Sequence, residues 1–458
     1  MLLIVQSICG FIIATSVLIA VHEWGHFWMA RLWDIKVLRF SIGFGPALLR
    51  WFDKLGTEYT ICWLPFGGYV KLLDEAEQEQ EVALIEKPLA VNNKPVWVKV
   101  LVILAGPLFN LLLALFLYVI VFMVGNEELI LCIGHPPQGS PAAIAGLKEG
   151  FELVAADNRA ISTWEELGVV FFKHIGEPGL LEITLAAKDR NTGLTKDYKI
   201  VASKWFDKGD ERTFLSNVGL KPFDPFPAVI AKVAAGLPAD VAGIKAGDKI
   251  IKINNELISN RSQVIELIRA KAKHLVFLEI ERNKKIIKKT VTPLEKAEEA
   301  PSAEQRVGFI GIEFAKAAWP SFLLQHKSLS VIPAVKKSML KIIDYSQLTI
   351  SLMGKMLTGT LSLRYIGGPV SIAEQAGQSI QNGWIHFVSF MALISVNLGI
   401  LNVMPVPILD GGQLLYCVLE VLRGKPLSNL AKTIGQWIGV IIVVGFMSVA
   451  LYNDLSRW

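Results

Sequence analysis

The segment His22-Glu23-Trp24-Gly25-His26 sets two imidazoles four residues apart, with a carboxylate beside the first. On a helix, residues four apart share a face, so His22 and His26 can chelate one Zn²⁺ through ring nitrogens. Glu23 then stands where it can take a proton from water at the metal as a general base. A catalytic zinc usually takes three protein ligands. The chain has 7 histidines, and the other five (His135, His174, His274, His326 and His386) fall across the bilayer or at its far side in the topology derived below. The third ligand is therefore expected to be a carboxylate at the same end of another membrane span. Asp410, in Asn402-Val-Met-Pro-Val-Pro-Ile-Leu-Asp410-Gly-Gly, is the candidate, because it directly follows the uncharged run 375–409. Pro405 and Pro407 remove backbone donors and break the helix there, and Gly411 and Gly412 permit tight turning after Asp410. Unwound backbone at membrane depth is tolerated only where protein or a water-filled cavity surrounds it, as an active site requires. The competing readings are an interfacial polar cap without metal for the His-Glu pair, and a helix N-cap for Asp410.

Those residues need spans to hold them, and the composition supplies them. Hydrophobic residues make up 52 % of 458, and mean hydropathy is +0.44. Charged residues make up 19 %, against about 25 % in soluble domains. This excludes a disordered chain, and 4 cysteines cannot staple a disulfide scaffold of this length;. Four stretches lack Asp, Glu, Lys and Arg and are long enough to cross about 30 Å of hydrocarbon. They are Met1–Val21, Val100–Gly125, a third within 375–409 starting near Trp384, and Thr433–Asn453. In the second, Asn110 is the one strongly polar side chain. A Glu and two His at the end of an uncharged span are costly to bury, and such residues are functional by default. A cleaved signal peptide fits the first span poorly, since no Lys or Arg precedes Arg31;. Arg31, Lys36, Arg39, Arg50 and Lys54 follow that span, which puts its far end in the cytoplasm and the N-terminus outside;. Four spans return the C-terminus outside and leave most of 126–383 there too. The net charge of +5 is read through loop topology, and no nucleic-acid partner is expected.

The outer region repeats itself at an offset of 97 residues: Pro141 to Gly150 aligns with Pro238 to Gly247, and nine of the 22 positions from Pro141 to Ser162 are identical without a gap. Each copy reads as a short Ala-rich helix ended by Gly146 or Gly243 in a left-handed cap, then a turn and a strand;. The pattern resembles bacterial PDZ domains of the kind fused to proteases, which bind extended peptides or C-terminal segments by adding a strand to a sheet edge. The second copy has the familiar Gly247-Asp248; the first has Gly150-Phe151, so its loop is expected to differ. Spacers that bind nothing are the competing reading. The expected organisation is 1–125 for the first two spans, with a cytoplasmic hairpin and loop region at 27–99. The first PDZ domain is expected at 126–222 and the second at 223–315. Amphipathic helices and a loop at the membrane surface would occupy 316–383, and the last two spans 384–458.

His-Glu-x-x-His in the first span with Asn-x-x-Pro-x-Pro-x-x-Asp-Gly in the third resembles the site-2 protease family of intramembrane zinc metalloproteases. Further segments carry the resemblance nearly end to end, among them Phe40-Ser-Ile-Gly-Phe-Gly45, Gly67-Gly-Tyr-Val-Lys71, Ala105-Gly-Pro-Leu-Phe-Asn110 and Ser395-Val-Asn-Leu-Gly399. The fold class is thus expected to be a polytopic α-helical membrane protein with four transmembrane helices and two tandem periplasmic PDZ domains, in a bacterial inner membrane. The resemblance implies one Zn²⁺ per chain on His22, His26 and Asp410, with Glu23 as base. It implies that Asn402 and Pro405, in the loop shared with Pro407, contact the substrate backbone. It also implies that the strand carrying Gly67, Gly68 and Tyr69 pairs with the substrate, although Gly-Gly-Tyr-Val is equally an ordinary hairpin. The implied partner is a single-span membrane protein such as an anti-sigma factor already trimmed by another protease, with remnant signal peptides as a second class. Two other readings stay open: a membrane-anchored PDZ adaptor without activity, and a transporter with broken helices.

Overall fold

The computed structural model describes residues 2–75, 85–125, 127–175, 180–190, 192–203, 214–297, 306–315, 317–425 and 427–456. They form two compact units, one from the residues up to 125 and from 327 onward, the other from 127–326.

In the first, the membrane unit, four helices among the described residues are long and apolar enough to cross a membrane: Ile4–Leu32, Val96–Val124, Trp384–Val403 and Leu430–Ser456. The first, second and fourth run beyond their charge-free stretches, taking in Glu23 and Arg31, Lys99, and Lys432 with Asp454 respectively. Ala14, Ala114, Ala334, Ala376 and Ala392 are buried in one cluster with Tyr118, Phe122 and Val396. Small side chains at such crossings let helix backbones approach where lipid gives no hydrophobic drive. The apolar but interrupted stretch before the third span forms helices Val331–Leu357 and Pro369–Gln381. The opening N–H groups of the latter are held by the Asp454 carboxylate of the fourth span, which accepts from Gly368, Val370 and Ser371 at 3.0, 2.9 and 3.2 Å.

Between the first two spans lies a hairpin of strands Val37–Phe52 and Glu58–Leu72. Both strands bend back on themselves, so Arg39 to Ile42 pair on one side with Glu58 to Ile61 and on the other with Gly68 to Lys71. Segment 68–71 thereby becomes an edge of the small sheet, paired through Arg39 to Ile42 alone among the described residues.

The second, or β, unit contains two four-stranded sheets built alike. One combines Glu152–Ala156, Arg159–Ala160, Leu181–Lys188 and Thr195–Ala202 with helix Trp164–His174. The other combines Lys249–Ile253, Glu256–Leu257, Val276–Arg282 and Lys285–Val291 with helix Arg261–Arg269. The 97-residue offset is physical. Gly146 and Gly243 take φ of 89° and 73°, and the Asp157-Asn158 and Asn254-Asn255 turns are left-handed in both copies. Thr163 and Asn260 cap the two helices by accepting from Glu166 N–H and Gln263 N–H. The loop expected to differ does not differ in its backbone. Gly150 N–H donates to Ile133 O and Gly247 N–H to Ile230 O, at 2.9 and 2.8 Å. What differs is the side chain. Asp248 is fully buried and paired with Arg282 at 2.7 Å, whereas Phe151 packs on Tyr198. Burial alone would raise the Asp248 carboxyl, but the Arg282 guanidinium and the Lys245 N–H hold it below the usual carboxylate range. A separate strand pair, Glu127–Leu129 with Leu324–His326, joins the two ends of this unit.

Candidate metal centre

His22 and His26 lie one turn apart near the end of the first membrane helix, on the face packed against the second span. That packing depends on Gly106. A Cβ there would fall 2.8 Å from His22 Cε1 and closer still to the His26 ring. The rings turn their Nε2 atoms toward each other, 3.2 Å apart. Asp410 closes the group from the far side: its Oδ2 is 3.1 Å from His22 Nε2 and 3.4 Å from His26 Nε2.

Asp410 opens helix Asp410–Arg423, whose N-cap is Leu409 with no side-chain capping bond. Its carboxylate faces the two rings. The third span ends at Val403, and the backbone passes Pro405 and Pro407 before the next helix begins. The adjacent glycines serve a different purpose from the turning expected of them. Gly411 and Gly412 are helical, and each would press a Cβ into backbone atoms of the preceding loop, 403–404 for one and 406–407 for the other. Their role is close approach of helix and loop.

The three inward atoms form a triangle with edges of 3.1, 3.2 and 3.4 Å. Ligands at zinc–nitrogen and zinc–oxygen distances of about 2.0–2.1 Å in a tetrahedron stand about 3.3–3.4 Å apart. Asp410 Oδ2 is buried and lacks a hydrogen-bond partner, an orphaned oxygen that a cation would satisfy. Among the described residues, these three are the group of His, Cys, Asp or Glu side chains placed to hold a metal. The site fits Zn²⁺ in donor type, number and spacing, with the fourth corner of the tetrahedron left for water or substrate.

The sequence profile of Peptidase family M50 matches residues 10–446. This chain belongs to that family. It is 36 % identical over 458 residues to the Regulator of sigma-E protease RseP of Escherichia coli, covering 100 % of both chains. It is 34 % identical over 453 residues to the Regulator of sigma E protease of Haemophilus influenzae, covering 98 % of this chain and 99 % of the other. A Vibrio cholerae protein whose name describes a zinc metalloprotease is 33 % identical over 455 residues, with 99 % of each covered. The chain is thus a zinc-dependent membrane protease of the M50 family.

The protease has a cavity of about 960 Å³ at the three ligand candidates, shared by Glu23, Gly67, Gly68, Tyr69, Asn402 and Pro407. Pro405 is not part of its lining. The edge segment of the hairpin runs along Glu23: a Cβ on Gly68 would lie 3.0 Å from Glu23 Cγ. Asn402 Nδ2 lies 3.4 Å from His22 Nε2 and 3.5 Å from His22 Nδ1, and both residues line the cavity. Two contacts behind the rings escaped the sequence reading. His26 Nδ1 meets Val102 O at 2.8 Å, and His22 Nδ1 meets the Asn110 side chain at 3.1 Å. A backbone carbonyl leaves no mark in a sequence, but Asn110 did leave one as the lone strongly polar side chain of its span.

Proposed function

We propose that this protease hydrolyses a peptide bond in or beside the transmembrane segment of a single-span membrane protein. One observation carries the reading: two imidazole nitrogens and an orphaned carboxylate oxygen at tetrahedral spacing share a cavity with a glutamate and a β edge. In this reading His22, His26 and Asp410 hold the metal. Zn²⁺ bound there supplies a Lewis acid that polarises a carbonyl and acidifies water. Glu23 takes the proton from the attacking water and passes it to the leaving amine. The carbonyl carbon gains the water's oxygen and loses its bond to the amide nitrogen, and both of the water's protons end on that nitrogen, leaving a carboxylate and an ammonium.

A transmembrane helix shields its peptide bonds with its own hydrogen bonds, so the substrate must unwind before hydrolysis. The edge at Gly67, Gly68 and Tyr69 offers backbone partners to the strand so released, which offsets the cost of freed polar groups in an apolar setting. Asn402 holds the substrate backbone by its amide, with Pro405 and Pro407 fixing the tight turns of the loop that follows it;.

The distribution of Lys and Arg supports a cytoplasmic face for this centre and periplasmic placement of both termini and the β unit, in a bacterial inner membrane;. The paired repeats are assigned as tandem PDZ domains, over 126–222 and 223–315. Their helix, turn and strand order and open sheet edges support binding of extended peptides or C-terminal segments;. Two substrate classes fit the site: an anti-sigma factor already trimmed outside the membrane, and remnant signal peptides.

The test compares purified wild-type protein with Glu23→Gln. Both are expected to hold one zinc, and wild type alone to cleave a single-span model substrate, with cleavage stopped by a zinc chelator. A wild type without zinc, or equal cleavage by the variant, sinks the reading in favour of an inactive PDZ adaptor.

A further inference from the structure

A histidine that binds a metal through Nε2 carries its proton on Nδ1, and whatever accepts that proton fixes the tautomer and the ring plane. For His26 the acceptor is plain. Val102 O can only accept, so the 2.8 Å contact puts the hydrogen on Nδ1 and frees Nε2 for Asp410 and His22;. For His22 the nearer partner at Nδ1 is the side-chain amide of Asn110, at 3.1 Å, with Asn402 Nδ2 farther off at 3.5 Å. An amide has a donating and an accepting end of nearly the same shape, so its orientation follows from the chemistry of its neighbours. With its nitrogen against the ring, the amide would donate to Nδ1 and force the hydrogen onto Nε2, closing the ring to a metal. In that orientation Asn110 Oδ1 is also buried without a hydrogen-bond partner. A half-turn of the amide brings that oxygen to Nδ1 as an acceptor.

We propose that Asn110 is a positioning residue of the metal centre: its side-chain oxygen accepts the Nδ1 hydrogen of His22 and holds that ring with Nε2 toward His26 and Asp410. Asn110 is completely buried and is not part of the cavity lining, so it acts through His22 and does not touch the substrate. Its own placement is fixed from the third span, where the Ser395 hydroxyl donates to Asn110 O at 2.7 Å. Second and third spans thus set the aim of a ligand on the first. A lone amide in an otherwise apolar span is costly to retain, and this contact accounts for it. The inference rests on the metal site proposed above.

Full-length protein in detergent is loaded with zinc, and its dissociation constant is measured by chelator competition for wild type, Asn110→Leu and Asn110→Asp. Leucine keeps the volume and removes the acceptor; aspartate can only accept. Asn110→Leu is expected to bind zinc about 10- to 100-fold more weakly, and Asn110→Asp to bind within a few-fold of wild type. A merely structural amide would not be rescued by the carboxylate. Equal affinity in Asn110→Leu overturns the assignment, as does a loss in Asn110→Asp as large as that in Asn110→Leu. If Asn110→Leu does not fold, Asn110→Asp alone decides: tight zinc supports the accepting role and lost zinc overturns it. A wild type that binds no zinc overturns the proposed metal site itself, a separate outcome.

Discussion

The metal centre and the two β repeats are specified in opposite ways. At the proposed centre, the roles rest on residue type: three donor atoms gathered around one point, a glutamate on the same cavity, and an amide behind one ring. In the repeats, the backbone recurs even where the side chains differ. Asp248 with Arg282 in one copy stands where Phe151 stands in the other, and the surrounding main-chain bonds are the same. Conformational requirements fix the repeats, and chemical requirements fix the centre. Substitutions at the centre should therefore abolish function without unfolding, and substitutions in the repeats should shift stability without touching chemistry.

The largest effect tests the first half of that contrast. Asp410→Ala is expected to weaken zinc binding by more than about 100-fold, since even an outer partner of a ligand is worth about 10- to 100-fold. Equilibrium dialysis against buffered zinc measures it, and a variant that keeps its metal removes Asp410 from the ligand set. Asn402→Ala should retain zinc yet lose about 10- to 100-fold in hydrolysis, the worth of one hydrogen bond to a charging group. An unchanged rate with a single-span substrate would remove its role in holding the backbone.

Smaller effects test the second half. Asp248→Asn should destabilise the second repeat by about 2 kcal/mol, because buried donors lose a charged acceptor. Hydrogen exchange on the full chain would show faster opening there than in the first repeat. Because its folded carboxyl lies below the usual range, Asp248 stabilises the fold above the unfolded value of about 3.9. That stabilisation is lost as pH falls through the folded value. Acidification toward pH 2 should thus loosen the second repeat through Asp248 in a way Phe151 cannot match in the first. The smallest effects should be equal: Gly146→Ala and Gly243→Ala each force an L-residue into positive φ, at about 1 kcal/mol. Clearly unequal losses would break the equivalence of the two turns.

The spans were legible because a charge-free run of that length has few other uses, and the His22, Glu23 and His26 group because one helical turn brings its members together. Asp410 stood out because a carboxylate directly after an uncharged run has few inexpensive roles, and the structure places it beside the two imidazoles. The hairpin edge was harder. Gly67 and Gly68 carry no local sign that 39–42 would be paired on both sides and leave 68–71 outermost. Asn110 was visible as an anomaly, but its partner belongs to another span. The repeat was legible only over its first part. Asp157 bonds Thr184, 27 residues on, whereas Asn254 bonds Phe277, 23 residues on. The first copy is therefore four residues longer before its later strands, and an ungapped comparison loses register there.

Up to that point the offset never slips. Leu131 O accepts from Leu153 N–H as Ala228 O does from Ile250 N–H, and Val154 O from Ile161 N–H as Ile251 O does from Ile258 N–H. Such a stretch behaves as a cassette. A crossover between Ser140 and Pro238 excises 97 residues and rejoins the chain in the same hydrogen-bonding frame, and the reciprocal event inserts a third copy. The β unit is thus built so that loss or gain of a whole module keeps the hydrogen-bonding frame of what remains.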